Sequence, residues 1–104
     1  MKIIAIEQEC PGAAADAFHR HARAEALRAW QLYQAGVVRE QYFRADRSEA
    51  VLILECGTLE AARQALDSLP LVQVGLIAFE LIPLAPYPGF ARLFDSEFQV
   101  KESH

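Results

Sequence analysis

Apolar and polar positions divide the chain into six segments. Lys2 to Glu7 is a short isoleucine-rich run that predicts a first strand, and Cys10-Pro11-Gly12 breaks it. From about Ala13 to Ala35 the residues turn to Ala, Arg, Glu, Leu and Gln, all strong helix formers, and Gly36 is placed to close the helix. Val37 to Arg44 predicts a second strand, Ala45-Asp46-Arg47-Ser48 a turn, and Ala50 to Glu55 a third strand that pairs back as a hairpin. Thr58 is positioned to cap a second helix running to about Ser68, with Pro70 just beyond its end. Leu76 to Ile82 predicts a fourth strand.

The order β-α-β-β-α-β predicts an α+β domain of ferredoxin-like, split βαβ type with an antiparallel four-stranded sheet. It occupies residues 1–90, and 91–104 form a C-terminal tail. In Val51-Leu52-Ile53-Leu54 and Leu76-Ile77-Ala78-Phe79, neighbouring side chains point to opposite faces, yet both sets are apolar. One face meets the two helices. The other has no partner within the chain, which predicts a homodimer or a higher homo-oligomer. Ala91-Arg92-Leu93-Phe94, with Phe98 and Val100, is apolar enough for the tail to pack on a neighbouring subunit.

Composition sharpens this picture. Apolar residues make up 53% of the 104, more than one small core needs, which again points to self-association. The net charge of -4 argues against a nucleic-acid partner. No apolar run reaches the roughly 18 residues of a membrane span, and MKIIAIEQEC lacks a long apolar leader, so the expectation is a cytoplasmic protein with no membrane partner. Cys10 and Cys56 fit two half-buried thiols better than a disulfide framework or a metal site.

Candidate chemistry concentrates on the first helix and the second strand. At about 100° per residue, Phe18, Ala22, Ala26, Ala29 and Tyr33 form the stripe expected to face the sheet. Its alanines either allow close helix-sheet approach or leave a cavity walled by Trp30, Tyr42, Phe43 and Phe79. Glu25 sits beside the stripe, with His21 one turn before it and Arg28 three residues after. That row reads either as a solvated ion-pair edge or as a general base, Glu25 or His21, at a pocket mouth. His19 and His21 project about 200° apart and cannot share a metal ion, so no metal is expected. Arg44, beside Tyr42 and Phe43, either anchors a substrate carboxylate or pairs with Asp46 or Glu49 across the turn. Tyr87, between two prolines, either offers its hydroxyl to a ligand or serves as an aromatic plug. No nucleotide-binding motif is present, and no cofactor is expected.

Gln34-Ala35-Gly36, Tyr42-Phe43-Arg44, Leu69-Pro70-Leu71 and the segment Phe79 to Pro88 resemble the muconolactone isomerase family in order and spacing. That resemblance implies subunits paired through their sheets into a dimeric α+β barrel, and cofactor-free movement of a double bond in an unsaturated lactone during aromatic catabolism. Residue by residue it supports Glu25 and Arg44; the reading of the residues themselves adds His21 and Tyr87 to Glu25 as proton-handling candidates, and Tyr42, Trp30 and Phe43 to Arg44 as contacts for a small carboxylated ring. Tyr87 stands where that family has a His, and Val37-Val38 replace its Trp-rich residues after the helical Gly. Two other functions fit the same barrel: a cofactor-independent monooxygenase, and a non-catalytic small-ligand-binding or assembly protein.

Overall fold

The sheet runs in the order β2-β3-β1-β4 in a computed structural model that describes residues 1–94. Its strands are β1 (Lys2–Glu9), β2 (Val38–Phe43), β3 (Ala50–Glu55) and β4 (Ile77–Pro83), and every pairing is antiparallel. Helix α1 (Ala15–Gln34) crosses from β1 to β2, while α2 (Leu59–Asp67) and the single turn α3 (Pro70–Gln73) connect β3 to β4. The result is an α+β architecture compatible with a ferredoxin-like fold, and a 3-10 turn at Gly89–Leu93 follows β4. Phe98 and Val100 of the expected tail lie outside the described residues. None of the described helices is long and apolar enough to cross a membrane.

Local chemistry explains the boundaries. Thr58 accepts a hydrogen bond from the Ala61 N–H at 3.0 Å and so caps α2 as expected. Helix α1 ends at Gly36, whose φ of +78° suits a residue without Cβ. Gly36 N–H donates to the Tyr33 carbonyl and Val37 N–H to the Leu32 carbonyl, the paired bonds of a Schellman ending. Gly75 repeats that geometry after α3, with Leu76 N–H donating to the Leu71 carbonyl. Pro70 does not merely follow a helix; it opens α3, where its missing N–H costs nothing.

The core lies between the helices and one face of the sheet. Ile3, Ala5, Leu52, Leu54, Ile77 and Phe79 supply the sheet side, and Leu32, Ala62, Leu66 and Leu69 the helical side. The opposite face carries Ile4 opposite Ile53 and Ile82, and Ile6 opposite Val51. These side chains are half-buried only by one another, so the two-faced apolar pattern is real.

Two expectations are revised. The α1 stripe facing the sheet is not Phe18-Ala22-Ala26-Ala29-Tyr33. Ala22, Ala26 and Tyr33 are exposed, and the inward line runs through Phe18, Glu25, Ala29 and Leu32. Leu32, the largest apolar side chain available at the C-terminal end on that side, sets the helix phase, and Glu25 is thereby turned from the flank of the stripe into its middle. The second revision concerns β2. A bulge between Val38 and Glu40 shifts the register, so Gln41 and Phe43 share the helix-covered face with Leu52 and Ala50, while Tyr42 stands opposite Val51 on the open face.

Candidate functional site

Glu7 continues the inward parity of Ile3 and Ala5 along β1, which brings a carboxylate into the core at 8% exposure. The β1-β3 pairing ends at Ile6 and Val51. Just beyond it the Glu7 Oε1 accepts the Ala50 N–H at 3.2 Å. From across the layer, Glu25 of α1 reaches α3, where its Oε1 accepts the Leu71 N–H at 3.0 Å. The Leu-Pro-Leu sequence creates that opportunity, because α3 has no side-chain cap of its own.

Both carboxylates line one cavity of about 80 Å³. Its other walls are mostly apolar and include Ala29, Leu32, Leu52, Phe79 and Phe43. It adjoins a wider cleft of about 500 Å³ bounded by Glu9, Phe18 and Ser48, with Glu7, Phe43 and Leu71 as shared walls. The alanine stripe therefore contributes through Ala29 alone, and the space comes from where helix, sheet and α3 fail to meet.

Burial pushes the Glu7 carboxyl above its ordinary value of 4.5, against the opposing effect of the Ala50 hydrogen bond, and the charges of Glu49, Glu25 and Glu9 push the same way. Burial likewise raises Glu25, partly offset by the Leu71 hydrogen bond and by the charge of His21. Each carboxylate keeps its second oxygen outside these backbone bonds. Two acids of raised pKa lining one largely apolar cavity are suited to hold and pass a proton.

The remaining candidates are dispersed. His21 lies one turn from Glu25 and acts on it through charge, but does not line either cavity. Phe43, 70% exposed, forms the mouth. Trp30 stacks on Tyr33 at 5.5 Å on the outer side of α1 and is not a cavity wall. Tyr42 donates its hydroxyl to Glu40 at 2.6 Å on the open face, again away from the cavity. Arg44 forms a two-point pair with Asp46, Nε to Oδ1 at 2.8 Å and Nη2 to Oδ2 at 2.7 Å, with Glu49 at 3.8 Å, so the cross-turn alternative is the one realised. Tyr87 is 68% exposed and packs edge-on against Phe90, beyond the Pro83 end of β4 that pairs with Ile3. The cavity opens toward the other end of β1, at Glu7 and Glu9.

Sequence reasoning overlooked Glu7. The signal was its parity with Ile3 and Ala5, which places a charged residue on the buried face of a central strand. Among the described residues no group of three or more His, Cys, Asp or Glu is arranged to hold a metal ion. Compared with known proteins, the chain matches no family model, and no curated protein matches it at a significant level.

Proposed function

We propose that this chain is a cofactor-free, isomerase-like enzyme that moves a proton between two carbons of a small unsaturated ring. The observation that carries this reading is the pair Glu7, buried, and Glu25, half-buried, both raised in pKa and lining one largely apolar cavity. The resemblance to the muconolactone isomerase family supports the same class of reaction. Glu25, ionised, takes a proton from the carbon beside a carbonyl, and the C–H electron pair moves onto the carbonyl oxygen. Glu7, protonated, donates a hydrogen bond to that developing oxyanion. Glu25 then returns the proton to the far carbon of the conjugated system, completing the shift with no net change in atoms or electrons.

The active unit in this reading is a homodimer joined through the open sheet faces. Ile4, Ile6, Val51, Ile53 and Ile82 supply the apolar surface that a second copy would cover, forming the two-sheet barrel the resemblance implies. The setting is the cytoplasm, and the substrate belongs to aromatic catabolism.

The test is deuterium incorporation into cyclic enones and butenolides in D₂O, followed by NMR. Wild type should exchange protons above the buffer rate, and Glu25→Gln should lose roughly 10²- to 10⁴-fold of that activity. Gln retains an oxygen to accept the Leu71 N–H, so the fold persists in the variant. Exchange that is absent in wild type, or unchanged in Glu25→Gln, overturns the proposal in favour of a ligand-binding module.

A further inference from the structure

We infer that the cleft accepts an uncharged ring bearing a carbonyl and discriminates against carboxylates. This inference rests on the proton-transfer reading of the same cavity and adds the charge class of its ligand. Among the described residues no Lys, Arg or His lines either the inner cavity or the outer cleft, whereas Glu7, Glu9 and Glu25 all do. The remaining walls are chiefly hydrocarbon, with Phe43 and Leu71 shared between the two spaces. A ring finds apolar contact there, and a carbonyl finds its hydrogen-bond donor in whichever glutamate carries the proton.

Four of the described arginines that could pair with a carboxylate are committed elsewhere. Arg44 is held by Asp46 at two points, and an incoming carboxylate would have to displace an equivalent one that is tethered two residues away. Arg28 donates to Ser68 and Gln31, and Arg63 donates to the Phe79 carbonyl. Arg47 pairs with Asp46 and Glu49. A carboxylate in the cavity would face an ionised glutamate, and the His21 charge that acts on Glu25 lies outside the lining, so binding weakens on the order of ten- to a hundred-fold relative to a neutral ring of similar size. A cationic ring would meet the opposite field, but its strongly hydrated ammonium would be stripped of water among chiefly apolar walls, a cost that one ion pair does not repay.

The test uses the full chain and three probes of one shape: cyclohex-2-en-1-one, cyclohex-1-ene-1-carboxylate and cyclohexylammonium, titrated by NMR at pH 7.5. The enone should bind tightest, with the carboxylate at least ten-fold weaker. In Glu7→Gln/Glu25→Gln that gap should shrink toward unity. Should the double variant not fold, the single variant Glu25→Gln, which keeps an oxygen for the Leu71 N–H, should narrow the same gap. A carboxylate that binds as tightly as the enone overturns the inference, as does tighter binding of the ammonium or no binding of the enone. Deuterium exchange separates the two proposals. Neutral preference without Glu25-dependent exchange sinks the proton-transfer reading alone, and carboxylate preference with such exchange sinks the charge inference alone.

Discussion

Glu7 on the sheet and Glu25 on the helix present their carboxyl groups to one cavity, and each is anchored through one oxygen by a backbone N–H, Ala50 for Glu7 and Leu71 for Glu25. The two anchors come from different elements, the start of β3 and the turn α3. The position of the acid pair therefore reports how β1, β3, α1 and α3 pack together. A site built this way is preorganised only as far as those contacts hold.

His21 tunes Glu25 through its charge, which holds the carboxyl lower than burial alone would. The acid limb of the pH-rate profile for proton exchange should therefore shift to higher pH in His21→Ala. A limb that stays in place, or moves down, shows that His21 has no part in setting the base.

Raised carboxyl pKa values make a signed prediction for stability. Between 4.5 and the folded-state pKa, native Glu7 and Glu25 bind more protons than the unfolded chain, so their contribution to stability falls as pH rises through that window and levels off above it. Asp46 and Glu55 are held low by Arg44 and the N-terminal ammonium, and theirs is lost instead as pH falls. Urea unfolding across pH 4 to 8 should show a decline as pH rises from 4.5 that is shallower in Glu7→Gln. An identical slope in that variant excludes Glu7 as its source.

Leu66 is 1% exposed and joins α2 to the sheet. Leu66→Ala should cost about 2–5 kcal/mol, read as a drop in urea midpoint with unchanged slope. A loss below about 1 kcal/mol would mean that α2 collapses onto the vacancy.

Two glycines should respond in opposite ways. Gly36→Ala forces a Cβ into a left-handed conformation at a cost of about 1–2 kcal/mol, since its nearest neighbours, the Arg39 guanidinium atoms at 3.9 Å, present no clash. Gly57 has nothing within 4 Å and no positive φ, so Gly57→Ala should be neutral or stabilising by up to about 1 kcal/mol. Equal thermal shifts for the pair would contradict the backbone argument.

The open sheet face offers a direct test of self-association. Ile4 sits between Ile53 and Ile82, and Ile4→Asp places a charge at the centre of that surface. Sedimentation should find a dimer for wild type and a folded monomer for the variant. Monomeric wild type removes the sheet-to-sheet barrel from consideration.

Much of the architecture was legible because its signals are local. Thr58, Gly36 and the alternation in Ala50 to Glu55 each act within a few residues of themselves. The site was less legible because it depends on phase. The α1 stripe was read through alanines, whose small size gives little weight to any direction, and Leu32 settled the rotation instead. Glu7 was passed over because it was counted as a strand end, although the strand runs on to Glu9. Arg44 and Asp46 illustrate the reverse case. Two residues apart across a turn, they satisfy each other before any ligand arrives.

The irregularity at Arg39 makes the cavity wall a matter of counting. Pairing Arg39 in plain alternation, with no residue added or removed, would rotate the rest of β2 by half a turn, setting Tyr42 opposite Ala50 and exchanging the Phe43 hydrocarbon for the Tyr42 phenol at the mouth. A change of register that starts outside the site would thus rewrite its wall from greasy to hydrogen-bonding while Glu7 and Glu25 stayed in place. In a lineage of such chains, strand register would be as effective a route to new specificity as point substitution within the cleft.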